Sequence, residues 1–177
     1  MKELFDEYLY YDESSPSGLR WKERIRYDFI TMRAYLSFQS QYVNKVAGTI
    51  CHPKDKTNPW WQLNLMGKTY VCSRVIYTLL RKDPGVFQID HIDRDPLNNI
   101  ILNLRLATSA ENNCNRSFSK LPESGYRGVR KNGSGWQASI KKNGKTFHLG
   151  TYNSPEEADL IYRKSSTEIH KEFSHLS

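Results

Sequence analysis

The stretch QIDHIDRDPLNNIILNLRLATSAENNCN, residues 88–115, decides how the rest of the chain is read. It sets Asp90 beside His91 after an apolar lead-in of Val86, Phe87 and Ile89, so one neighbour suits holding a cation while the other handles a proton. Asn98, Asn99, Asn103, Asn112 and Asn113 follow. So many amides disfavour a helix or a sheet, because Asn competes with the backbone for hydrogen bonds, and they favour a pinned loop. Residues 86–90 read as a short strand and 104–107 as a second. Thr108, followed three residues later by Glu111, forms a capping box. It predicts a helix from Ser109 with Asn112 on its first turn, facing back over the loop.

The order Asp-His, then Asn-Leu-Arg, then Glu-Asn-Asn resembles the HNH nuclease motif, in the version carried by phage and intron homing endonucleases. The resemblance implies an α+β nuclease unit in which strand, loop, strand and helix surround one divalent metal, the ββα-metal arrangement. It makes Asp90 and Asn112 the metal ligands, His91 the general base and Asn103 the residue that holds the loop so that His91 is oriented. A neutral imidazole with an ordinary pKa of about 6.5 suits a base at neutral pH. Arg105 would bind a phosphate oxygen, against the competing reading of a solvated strand residue. Many members of the wider family carry His where this chain has Asn112. An amide oxygen favours a hard ion, so magnesium is expected, with manganese as the alternative.

The chain has 177 residues and a formal net charge of +7. With a pI near 9.3 it calls for a polyanionic partner, without choosing between DNA and RNA. No long apolar run predicts a membrane span. The acidic first residues lack an apolar signal region, so a cytoplasmic protein is expected, in the host cell if a phage encodes it. Three scattered cysteines, Cys51, Cys72 and Cys114, read as reduced thiols.

Residues 1–22 read as a leader into a small sheet, turned at SSPSG. Residues 23–41 are basic and aromatic without a clear period, which leaves DNA contact and packing on the sheet equally open. Met66-Gly67-Lys68 predicts a hairpin turn. Ser73 is expected to cap a helix over 74–82, with Val75, Ile76, Leu79 and Leu80 on one face. Arg74 stands where the family often has His, and reaches a phosphate or caps structure.

Residues 116–125 read as a linker. Residues 116–150 carry eight basic side chains against one acid, a local excess of seven that equals the charge of the whole chain. Asn132-Gly133 and Asn143-Gly144 predict turns between three strands. Ser154-Pro155-Glu156-Glu157 predicts the start of a helix whose inner face carries Ala158, Ile161, Tyr162, Ser165 and Ile169. Strand alternation sends Trp136, Ala138 and Ile140 under that helix, with Phe147 and Leu149 beside them, and Gln137, Ser139, Lys141, Thr146 and His148 the other way. Arg127 and Val129 share parity, which asks for a twist or bulge at Gly128.

Tyr-Arg-Gly-Val-Arg at 126–130, Trp-Gln-Ala-Ser-Ile at 136–140, His-Leu-Gly-Thr-Tyr at 148–152 and Glu-Glu-Ala at 156–158 resemble an AP2 domain. That resemblance implies a small three-stranded sheet plus one helix, with the open sheet face on DNA and Arg127, Arg130, Lys141 and His148 as contacts. Thr146 and His148 stand where plant members often have Arg and Trp, so base preference does not carry over.

The sequence thus predicts a nuclease domain over 1–115 with its motif at about 86–115, a linker at 116–125 and an AP2-like domain over 126–177. The expected function is metal-dependent endonucleolytic cleavage of double-stranded DNA, positioned by the second domain. One active site per chain makes a nicking monomer the default; cutting both strands needs a second visit or a dimer. The rival readings are a DNA-binding regulator with a vestigial nuclease fold and a nuclease without sequence preference.

Overall fold

A computed structural model of the chain describes residues 1–54, 58–115, 122–142 and 144–170. They form two compact units, Met1–Leu106 and Ala107–Ser177. The division falls ahead of the expected linker, of which residues 116–121 lie outside the described ones.

In the first unit, helix α1 (Lys2–Tyr8) leads into β1 (Leu9–Tyr11), which pairs antiparallel with β2 (Leu19–Trp21). The predicted leader is therefore partly helical: Leu4, Phe5 and Tyr8 recur at helical steps, although no side chain caps the start. A short 3-10 turn (Arg26–Asp28) and α2 (Met32–Gln41) follow, the latter capped by Thr31 Oγ1 accepting from Ala34 N at 3.1 Å. No residue of α2 is buried. The segment holds itself together by aromatic contacts among Phe29, Tyr35, Phe38 and Tyr42, with the Arg24 guanidinium over the rings of Tyr8 and Phe29.

Strands β3 (Thr49–Cys51), β4 (Trp60–Leu65) and β5 (Lys68–Val71) form an antiparallel sheet in that order. Met66 and Gly67 make the predicted turn, both at positive φ (53° and 73°), the geometry a two-residue hairpin loop demands. Helix α3 (Cys72–Leu80) starts one residue before Ser73, so Ser73 is a buried residue of the first turn rather than a cap, and it ends two residues before Lys82. Its buried face, Cys72, Val75, Ile76 and Leu79, meets Phe5, Tyr8, Leu9, Leu19, Leu63, Leu65 and Leu104 in one core. Phe5 and Tyr70 meet edge to face at 5.0 Å. Each such side chain contributes about 1.5–3 kcal/mol by leaving water.

Strands β6 (Gln88–His91) and β7 (Leu104–Ala107) pair as a two-stranded sheet. The lead-in begins later than expected. Val86 is 96% exposed and lies before β6, because Arg74 takes the carbonyls of Gly85 and Phe87 as hydrogen-bond acceptors and holds that segment as a turn.

In the second unit, α4 (Ser109–Asn115) opens with the predicted box: Thr108 N donates to Glu111 Oε2 at 2.7 Å, and Glu111 N to Thr108 Oγ1 at 3.3 Å. Strands β8 (Val129–Asn132), β9 (Gly135–Lys142) and β10 (Lys145–Tyr152) form an antiparallel sheet with β9 central. Helix α5 (Pro155–His170) packs on it, its start capped by Ser154 Oγ accepting from Glu157 N at 3.2 Å. Val129, Ala138 and Ala158 are the buried centre, with Trp136, Leu149 and Tyr152 against it. Phe147 differs from expectation: on edge strand β10, beside the turn from β9, it is about half exposed. Arg127 precedes β8, so strand alternation does not govern it. Gly128 supplies the expected twist at φ +69°, and the sheet's register shift lies between His148 and Gly150. Asn143 lies outside the described residues.

Candidate active site

Strand β6 delivers Asp90 and His91 at its C-terminal end, and the loop 92–103 returns the chain to β7. The amides that forbid regular structure there are spent on that loop. Asn103 Oδ1 accepts from Asp93 N at 3.0 Å, and its Nδ2 donates to Asp93 Oδ1 at 2.9 Å and to Asn98 O at 2.8 Å. Asn98 Nδ2 donates to Asp93 Oδ2 at 2.6 Å. The Asp93 side chain also accepts from Asp95 N at 2.9 Å. Burial alone would raise the pKa of Asp93; these donors and the nearby His91 outweigh it and hold the carboxyl below its usual range.

His91 meets a different amide. Its Nε2 lies 3.0 Å from Asn99 Oδ1, while Asn99 Nδ2 donates to the backbone carbonyl of Ser17 at 3.1 Å. Asn99 is 4% exposed, and Ser15 and Ser17 are buried beside it. The β1–β2 hairpin grips the loop a second time where Ile101 N donates to Tyr11 Oη at 3.1 Å. The sequence offered Asn99 only as one amide among five, and Ser17 only as part of a turn.

Asp90 is 4% exposed and faces Arg105, whose Nε donates to Oδ2 at 2.8 Å. Arg105, expected at a phosphate, is thus engaged with the carboxylate of the same two-stranded sheet, and only 14% of its side chain is exposed. Asn112 lies on the first turns of α4, in the second unit.

The second unit carries the four side chains expected to contact DNA. Arg130 stands opposite Gln137, His148 opposite Ser139 and Thr146 opposite Lys141 in the strand register, so these side chains share the sheet face turned away from Ala138 and α5. Arg130 Nε donates to Gln137 Oε1 at 2.7 Å, while Lys141 and His148 are exposed. Arg127 Nη2 donates to Asn113 O at 3.3 Å within the same unit.

Comparison with known proteins bears on the first site. The sequence model of the HNH endonuclease family matches residues 82–114. An uncharacterized HNH endonuclease of Acanthamoeba polyphaga mimivirus is 41% identical over 103 residues, 56% of this chain and 53% of that protein. Protein 3.8 of Escherichia phage T7 is 35% identical over 92 residues, 51% of this chain and 75% of that protein. The matched region thus spans about half the length of the mimivirus relative. No solved structure matches. Among the described residues, no helix is long and apolar enough to cross a membrane.

Proposed function

The chain belongs to the HNH endonuclease family, and from that premise we propose that it is a metal-dependent DNA endonuclease whose second unit, an AP2-like sheet and helix, binds the duplex and sets where the first unit cuts. The observation that carries the reading is the pair at the end of β6: a buried carboxylate, Asp90, next to an imidazole, His91, whose ring is held by a buried amide.

The donor chemistry fits a hard divalent cation. Asp90 offers a carboxylate oxygen and Asn112 an amide oxygen, the latter assigned on the order of the motif alone. Among the described residues, no group of three or more His, Cys, Asp or Glu side chains forms a cage. A small oxygen set suits magnesium, which keeps several waters, with manganese as the alternative. Such an ion supplies charge stabilisation for the scissile phosphate and its leaving 3′ oxygen.

The protein's own part is positional. His91 takes a proton from the attacking water, and hydrolysis leaves a 5′ phosphate and a 3′ hydroxyl. Asn103 keeps the loop around Asp93 closed, so the His91 backbone stays fixed. Arg105 enters as the cation beside Asp90. Arg127, Arg130, Lys141 and His148 are the proposed DNA contacts of the second unit, where guanidinium groups suit phosphates and guanine edges. A homing role, acting as a monomer, completes the reading.

The test uses supercoiled plasmid with magnesium or with EDTA. The parent protein is expected to nick DNA only with the metal, and His91→Ala to lose about 10²–10⁴-fold of the rate, the usual worth of a general base. A His91→Ala protein that cuts at the parental rate removes the base assignment.

A further inference from the structure

We propose that Asn99 is the positioning residue of the catalytic base: its amide, oriented by the Ser17 carbonyl, forces the neutral ring of His91 to carry its proton on Nε2 and so makes Nδ1 the basic nitrogen. The proposal rests on the reading of His91 as the general base.

The argument turns on which end of the Asn99 amide faces which partner. A backbone carbonyl only accepts, so the group 3.1 Å from Ser17 O must be the Nδ2 amine. Oδ1 is then the end that faces His91, at 3.0 Å from Nε2. An amide oxygen also only accepts, so Nε2 must be the donor. In a neutral imidazole one nitrogen carries hydrogen and the other the lone pair, and the bond made by the first fixes the identity of the second. With Asn99 buried, neither end of the amide has water as a ready alternative partner, and reversing it would set its oxygen against the Ser17 carbonyl, two acceptors face to face. The tautomer of the base is therefore written by a serine carbonyl in the N-terminal hairpin, 82 residues from the amide it holds.

The role differs from that of Asn103, which closes the loop backbone through Asp93 and Asn98. A residue that merely tied the loop to the hairpin would leave the tautomer of His91 unchanged when removed. Asn99 is expected to change it.

The test is nitrogen-15 NMR of the imidazole side chains of the full chain, recorded at rising pH until the His91 signals stop moving, so that the ring is neutral. The His91 signals are assigned by their loss in His91→Ala. The parent is expected to show the Nε2–H form. Asn99→Leu is expected to give mixed tautomers and a kcat about 10- to 100-fold lower on supercoiled plasmid with magnesium, at unchanged KM, the range typical when a residue that orients a functional histidine is lost. Asn99→Ala removes the oxygen without adding bulk and is expected to give mixed tautomers as well.

A parent spectrum showing Nδ1–H overturns the proposal whatever the variants do, and so does an Asn99→Leu protein with the parental tautomer and kcat. Should Asn99→Leu not fold, the parent and Asn99→Ala spectra decide. The base assignment fails separately, through His91→Ala cleaving at the parental rate, which leaves the parental tautomer readable.

Discussion

The carboxylate of Asp90 and the guanidinium of Arg105 meet at 2.8 Å between the paired strands β6 and β7, both largely withdrawn from water. A charge so buried depends on its partner, since removing one member of such a pair leaves the other poorly compensated. Arg105→Ala is expected to cost about 3 kcal/mol of stability, measured by urea unfolding, and to reduce cleavage further by letting Asp90 move. Arg105→Lys keeps the charge without the planar guanidinium and is expected to fall between the two. An Arg105→Ala protein of parental stability whose only defect is DNA affinity would return Arg105 to the role of phosphate contact.

The basic sheet face gives a prediction with a different signature. Arg130→Ala and Lys141→Ala are each expected to lower the salt dependence of DNA binding by about one unit of log K against log salt, through one fewer displaced counterion. Cleavage at saturating DNA should stay at the parental rate, because neither residue is among those proposed to hold the metal or move the proton. An unchanged slope in both variants would remove this face from the interface.

Burial pushes the Cys72 thiol up from an ordinary 9.0 to about 12, in the core beneath α3. The nucleophile is the thiolate, so Cys72 should resist alkylation at neutral pH while half-buried Cys51 reacts, as read by peptide mass mapping. The sign for stability follows from the raised value. The folded state keeps a proton that the unfolded chain gives up, so stability is unaffected below about pH 9 and declines as pH rises from there toward 12. Labelling of Cys72 ahead of Cys51 would contradict the packing.

Gly128 sits at φ +69°, and a Cβ there would lie 2.2 Å from Tyr162 Cε2 and 2.6 Å from Ser139 O. Gly128→Ala therefore meets both a left-handed backbone and a filled space at the junction of sheet and helix. A loss of about 2 kcal/mol or more is expected in the unfolding of the second unit. Parental thermal stability would mean that α5 is free to shift.

Local chemistry was legible where the rule is local. β7, the Thr108 box, the Met66-Gly67 turn and the Ser154-Pro155 helix start each follow from residues within four positions of one another. Helix α1 was missed and α3 misjudged at its start for the converse reason, since neither is capped by a side chain. Residues 23–42 resisted reading because their aromatics serve one another and Arg24 rather than a buried helix face; Ile30 is fully exposed. The partner of His91 was beyond local reading altogether. Nothing in the spacing of five asparagines distinguishes Asn99, whose role comes from a carbonyl at the other end of the first unit.

That distance gives the protein a schedule. During synthesis the Ser17 turn leaves the ribosome long before Asn99 does, and the two can meet only once nearly all of the first unit is out. Closing a loop of that size adds only slowly to the entropic cost as it lengthens, so the delay is one of delivery rather than of energy. A nascent chain that has released His91 but not Asn99 therefore holds the proposed base without the amide that orients it.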